Sequence, residues 1–234
     1  MGSALTRVFE ATEEANRQAI LDALGGVATG PMLDIGPHKG EFSERVAKRL
    51  GITDVHGIEL MPEHVDEAAS RGITVTLGDV DEGLPFADGQ FGVVLANQII
   101  EHVRRTDQFL TEIRRVLRPG GIACVSTNNL GSWHNVISLA LGYQPMPMHV
   151  SDEVILGNPK NPADGTAHED AGRTHLRLFT AKALVDLAAH HGLRTVEMKT
   201  VGYYPLPPRL AARAVKMDRR HGAFTVALFT PDGP

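Results

Sequence analysis

The chain has 234 residues, 42% hydrophobic and 22% charged, a balance that excludes a disordered chain and supplies enough apolar side chains for one sizeable core. A net charge of -5 with a pI of ≈ 6.1 gives no global attraction for nucleic acid, and no apolar run approaches the ~18 residues of a membrane span. The one cysteine, Cys124, allows no intrachain disulfide, so a single domain over residues 1–234 in a reducing cytoplasm is expected.

Residues 5–24 carry Leu5, Val8, Phe9, Ile20, Leu21 and Leu24 among Glu and Arg, which predicts one or two amphipathic helices in an N-terminal segment, 1–28, packed beside the main fold. Gly25 and Gly26 end them. Residues 32–35 then read as a short buried strand that passes through Asp34 into a turn with Gly36 and Gly40. Residues 41–50 have helical apolar spacing at Phe42, Val46 and Leu50. Strand, glycine turn and helix make a nucleotide-binding unit, because glycine lets the backbone approach a ligand and the N–H groups of a helix start favour negative charge. A dinucleotide fingerprint needs G-x-G-x-x-G, but His38 and Glu41 stand where the second and third glycines belong. A nicotinamide oxidoreductase therefore fits poorly.

A second strand at 55–59 ends in Glu59, which lies 19 positions past Gly40. That is close to the ~20 expected of an acid that accepts from ribose hydroxyls. A bland alternative for Glu59 is an exposed residue leading a helix. Residues 62–71 read as a short helix and 73–77 as a strand giving way to Gly78, Asp79 and Val80, where Asp79 could also be a simple turn cap. A fourth strand follows Phe91 and leads to Glu101, His102 and Val103. Asp107 is the expected N-cap of a helix with Phe109, Ile113, Val116 and Leu117 on its apolar face. Arg118, Pro119, Gly120 and Gly121 stop that helix, and 122–126 is a fifth strand.

A long segment, 127–174, then emerges from the carboxyl end of a central strand. Open α/β sheets bind ligands at that end, so the segment is expected to be a lid and substrate pocket, with a helix at 133–141 and irregular chain at 145–162. Thr180 caps a helix with Ala183, Leu184, Leu187 and Ala188 on its apolar side. Strands at 194–201 and 223–230, with a short helix between them, bring the count to seven.

Four features carry a family resemblance: Asp34-x-Gly36-x-x-x-Gly40, the L-P-F-x-D-x-x-F stretch beginning at Leu84, the E-H-V of 101–103, and the L-R-P-G-G of 117–121. In this order they resemble class I S-adenosylmethionine (SAM) methyltransferases over residues 32–126. The resemblance implies an α/β fold: a seven-stranded, mostly parallel sheet with helices on both faces, an antiparallel last strand, and the lid inserted after the fifth strand. It also implies SAM as cofactor, held by Asp34, Gly36, His38, Gly40, Glu59, Asp79, Val80 and Asn97, with Asp79 on the adenine amino group. Two positions depart from the pattern: His38 replaces the middle glycine, and Gly92 replaces the usual aspartate after Phe91.

Methyl transfer from a sulfonium is an in-line displacement that needs positioning and, for a hydroxyl acceptor, a general base. His102 and His134 are the base candidates, and Asn128, His149, His175 and Tyr203 are the substrate-binding ones. His149, Asp152, Glu153, Asp164, His168, Glu169, Asp170 and His175 could together hold a divalent metal, though their spacing matches no metal signature and exposed loop residues are the plainer reading. Residues 129–135 and 175–180 resemble bacterial saccharide-pathway enzymes, mycobacterial mannoside O-methyltransferases among them. The expected substrate is accordingly a small molecule, a sugar or glycoside hydroxyl, with a homodimer left open and no nucleic-acid or membrane partner. His38 and Gly92 motivate the alternative of a catalytically inactive SAM-binding regulator or partner subunit.

Overall fold

The computed structural model describes residues 4–168 and 174–233. Seven strands carry the architecture: β1 (Met32–Ile35), β2 (Val55–Glu59), β3 (Thr74–Leu77), β4 (Phe91–Asn97), β5 (Leu117–Asn128), β6 (Leu193–Val201) and β7 (Phe224–Pro231). They form one sheet in the order β3-β2-β1-β4-β5-β7-β6. Pairing is parallel from β3 across to β5, and β7 runs antiparallel to both β5 and β6. The helices are α1 (Ala4–Leu24), α2 (Glu41–Leu50), α3 (Pro62–Ser70), α4 (Thr106–Val116), α5 (Trp133–Ala140), α6 (Ala181–His190) and α7 (Pro208–Met217). None of the described helices is long and apolar enough to cross a membrane.

Successive strand residues face opposite sides of a sheet, so a strand covered on both faces reads as a continuous apolar run. That is the state of β1, β4 and β5. Leu33, Val94 and Ala123 pack with Phe109 and Ile113 of α4 and Leu184 of α6, whereas Met32, Val93 and Cys124 pack with Ile20 and Leu24 of α1 and Val46 of α2. The predicted α/β class with helices on both faces is therefore observed, and residues 5–24 form one helix rather than two.

Two boundaries differ from expectation. The strand expected at 122–126 begins already at Leu117: Leu117 pairs with Phe91, and the register slips before Ile122 pairs with Val93. The L-R-P-G-G stretch is thus an irregularity inside β5, with Gly120 at φ 73°, and the strand pairing overrides its reading as a helix stop followed by a turn. Asp107 is not the N-cap of α4. The helix begins two residues earlier than that, at Thr106 after Arg105, and Asp107 sits in the first turn, where its charge still complements the helix dipole. Beyond β5, the described residues of the expected lid segment contain α5 and otherwise irregular chain, tied back by isolated bridges between Asn129 and Phe179 and between Val154 and Ala167. The strand order reverses between β1 and β4, which opens a crevice at their carboxyl ends.

Candidate active site

That crevice holds a cavity of ≈ 530 Å³, within the ~300–1,000 Å³ usual for small-ligand sites. Its first wall is the turn after β1. Gly36 adopts φ 73°, its N–H donates to the Ile58 carbonyl at 2.9 Å, and a Cβ there would lie 2.3 Å from Ile99 Cδ1, so only glycine fits. His38 adopts φ 52°, the left-handed conformation that the missing glycine would take easily and that His tolerates better than most residues. Its N–H donates to Glu59 Oε2 at 2.8 Å, and its ring lies 3.8 Å from that of His64, centroid to centroid. The Met61 N–H donates to Glu59 Oε1 at 3.0 Å.

Glu59 is 6% exposed and lines the cavity. With one backbone N–H on each oxygen, its carboxylate ties the β1 turn to the β2 end and keeps lone pairs for further donors. Beside it, His64 Nδ1 is buried without a hydrogen-bond partner among the described residues, 4.0 Å from Glu59 Oε1.

The floor is the chain after β3. Asp79 accepts the Asp81 N–H at 2.9 Å and so caps a 3-10 turn at Val80–Glu82. Asp81 in turn accepts from the N–H groups of Arg104 and Arg105 at 3.0 and 2.9 Å, fastening this turn to the chain beyond β4.

The second wall begins at the end of β4. Asn97 Oδ1 accepts from Asn16 of α1 at 2.9 Å, and Asn16 also accepts from Ser126 Oγ at 2.7 Å, so a buried polar residue of the N-terminal helix braces the ends of both central strands. Gln98 adopts φ 58°, held by its N–H on the Ser126 carbonyl and by the Asn128 side chain on its Oε1. Left-handed backbone at a non-glycine residue is strain that persists only where surrounding bonds enforce it. Next comes Glu101, fully buried, accepting from Thr127 Oγ1 at 2.8 Å and from Asn128 Nδ2 at 3.4 Å. Burial pushes its carboxyl up to about 7. His102 and His175 line the cavity with ring centroids 4.8 Å apart. His102 Nδ1 lies 3.1 Å from the Thr174 carbonyl and His175 Nδ1 2.6 Å from that of Pro147. Burial, with the neighbouring His102, pushes His175 down to about 4.

Residues 33–125, which run from β1 into β5 and supply most of the cavity lining, match the family described as methyltransferase domain. That stretch is thus similar to methyltransferase domains. Norajmaline N-methyltransferase of Rauvolfia serpentina is 40% identical over 98 residues, 38% of this chain and 32% of that protein. A ubiquinone biosynthesis O-methyltransferase of Cereibacter sphaeroides is 30% identical over 180 residues, 75% of this chain and 64% of that protein. This chain thus spans less than two thirds of the length of either curated relative. A SAM-dependent methyltransferase of Thermotoga maritima, described as a possible histamine N-methyltransferase, shares the fold with a TM-score of 0.63 at 21% identity, covering 97% of this chain and 94% of that one.

The cavity sorts the expected cofactor residues into two groups. Gly36, His38, Glu59, Asp79, Val80 and Asn97 line the cavity, whereas Asp34 and Gly40 do not. Asp34 is turned beneath the turn, 3% exposed, where it accepts from Ser43 Oγ at 2.6 Å and burial pushes its carboxyl up to about 7. Gly40 starts α2 and backs onto Ala68 and Ile73. Gly92 lies at the opposite end of β4 from the cavity. Its N–H donates to the Pro31 carbonyl, and a Cβ would stand 1.8 Å from the Thr29 carbonyl oxygen, so the departure from aspartate is a packing requirement and not a change at the ligand.

At the second wall, His102 and His175 come together, but His134 does not join them. It sits on α5 with its ring 5.6 Å from Tyr204, where burial pushes it down to about 4. His149 stacks behind His175 at 4.9 Å and accepts the His175 N–H at 3.1 Å, outside the cavity lining. Asn128 bridges Gln98 and Glu101 from behind the wall, and the Tyr203 hydroxyl donates to the Asp218 carbonyl. Glu169 and Asp170 of the expected metal set lie outside the described residues. Among the described residues, the group of His and acidic side chains close enough to share an ion is Glu101, His102 and His175, of which only His175 belonged to that set. The sequence reading also missed Met61, His64, Gln98 and Glu101 as site residues. Glu101 was visible in the E-H-V stretch, whereas no spacing rule marks the other three.

Proposed function

We propose that this chain binds SAM in the cavity and transfers its methyl group to a small polar acceptor, specifically a hydroxyl of a sugar or glycoside. The observation that carries the reading is Glu59, a buried carboxylate at a topological switch point whose two backbone anchors leave acceptor capacity facing the cavity. A vicinal diol supplies the two donors that such a carboxylate takes. The adjacent His64 Nδ1 is a second polar atom at the same end that a ligand would satisfy. Asp79 and Val80 would hold the adenine end, and Asn97 with the turn at Gly36 and His38 the amino-acid end. When bound, the cofactor supplies an electrophilic methyl group on a sulfonium. The chain's own task is to hold the acceptor oxygen in line and keep water out.

The acceptor wall presents the imidazoles His102 and His175, and His175 stays neutral at physiological pH. Lone pairs there take or loosen the proton of a hydroxyl, which supports an oxygen acceptor. The segment 127–174 serves as the cover over this end within one domain, since its last residue, Thr174, lines the cavity. His38 and Gly92, the departures behind the regulator alternative, lose weight: one keeps the glycine conformation and the other lies away from the cavity.

Calorimetric titration with S-adenosylhomocysteine tests the reading. Binding is expected, with Glu59→Gln weakening it about 100-fold, the worth of losing hydrogen bonds to a buried charge. Labelled methyl from SAM should then appear on glycosides and polyols and not on amines of similar size. Absence of S-adenosylhomocysteine binding overturns the proposal, and binding without transfer to any acceptor establishes the regulator instead.

A further inference from the structure

We propose that Glu101, His102 and His175 form a binding site for one divalent transition-metal ion on the acceptor wall of the cavity. One ligand atom from each lies within 4.8 Å of the others, and both histidines line the cavity. Two imidazoles and a carboxylate with an open side are the donor set of catalytic zinc sites and of non-haem iron sites.

Three features beyond proximity support the assignment. First, both rings are oriented as metal-binding imidazoles are. His102 Nδ1 faces the Thr174 carbonyl and His175 Nδ1 the Pro147 carbonyl. A carbonyl accepts only, so each Nδ1 carries the proton and each Nε2 the lone pair. Ligating histidines characteristically give their other N–H to a carbonyl in this way. Second, the carboxylate is oriented too, with Thr127 Oγ1 on Oε2 and Asn128 Nδ2 on Oε1. Third, among the described residues these partners bring Glu101 no cationic side chain, although it is fully buried. A buried carboxylate without a counter-charge is costly, and a bound cation removes that cost.

Ligand atoms on a tetrahedral zinc ion with bonds of ~2.0–2.1 Å stand roughly 3.4 Å apart, so closure by rotation of the side chains is small. Imidazole favours zinc, cobalt and iron(II) over magnesium, which prefers an octahedron of oxygens. The chain supplies three ligands. The remaining positions face the cavity and would take oxygen atoms of the acceptor, a role that rests on the methyl-transfer reading above. There a bound ion would acidify a coordinated hydroxyl, whose proton would pass to solvent as its oxygen takes the methyl group, and the imidazole lone pairs would then loosen that proton by holding the ion.

Metal-stripped full-length protein titrated with Co2+ and Zn2+ tests the site. Expected are one equivalent per chain, a cobalt ligand-field spectrum with nitrogen ligands that Zn2+ abolishes and Mg2+ does not, and loss of both in His175→Ala and Glu101→Gln. Thr127→Val, which removes only the hydroxyl on Glu101, should weaken binding about tenfold, within the ~10- to 100-fold typical of outer partners. His190→Ala, an exposed position at the end of α6, should leave binding unchanged. Absence of the cobalt spectrum, or binding that survives His175→Ala and Thr127→Val in folded protein, overturns the site. S-adenosylhomocysteine titrated in parallel separates the two readings: binding of it without metal removes the metal site alone, and metal without it removes the methyltransferase reading alone.

Discussion

The two walls of the cavity are built differently. The wall proposed for the cofactor comes from turns that each follow a strand directly, and its principal side chain, Glu59, is anchored by backbone N–H groups 21 and 2 residues away. The wall proposed for the acceptor is assembled from Glu101, His102, Thr127, Pro147, Thr174 and His175, with contacts spanning up to 72 residues. Its imidazoles are placed by carbonyls of irregular chain. The first wall is local and repeats a family pattern. The second is a tertiary construction.

The largest effect that could break this contrast concerns Gly92. Gly92→Asp restores the family residue but drives a Cβ into the Thr29 carbonyl, so a loss of about 3 kcal/mol or more is expected in denaturant unfolding. Molecules that remain folded should bind S-adenosylhomocysteine normally. A loss of affinity without a loss of stability would place Gly92 in the cofactor wall after all.

His134→Gln probes the region beyond β5. In the folded chain the His134 imidazole is pushed down to about 4, so between pH 4 and 6.5 it stays neutral while the unfolded chain is protonated. The native protein therefore loses stability through His134 as pH falls through that window. The variant lacks this loss and should gain about 2 kcal/mol relative to the native chain between pH 7 and pH 4, the half-buried ring limiting the effect. Equal pH dependence of the two proteins, measured by urea unfolding, would show that His134 is solvated.

Asp79→Asn sharpens the cofactor wall. The amide oxygen keeps the cap on the Asp81 N–H, so unfolding should change by less than about 1 kcal/mol, while S-adenosylhomocysteine affinity falls about tenfold. A fall in stability with unchanged affinity would leave Asp79 a turn cap alone. Smallest is His38→Gly. It removes left-handed strain but adds unfolded-state entropy, and it keeps the N–H that binds Glu59, so stability should shift by about 1 kcal/mol or less and affinity by less than about threefold.

The sequence by itself determined the sheet and the turns that line one wall of the cavity. Apolar runs of 4–7 residues at β1, β2 and β4, and amphipathic spacing in α2 and α4, reflect burial that any sheet with helices on both faces imposes. The glycine turn and the acid 19 residues beyond it are local consequences of chain geometry, which is why counting found Gly36 and Glu59. Counting could not show that Asp34 turns away to Ser43, because a strand position specifies a face and not a side-chain partner. The tertiary structure alone decided that His134 stands apart while His175 meets His102 and Glu101. These residues are joined by carbonyls and hydroxyls far along the chain, and no periodicity records a contact between segments that lack a regular element of their own.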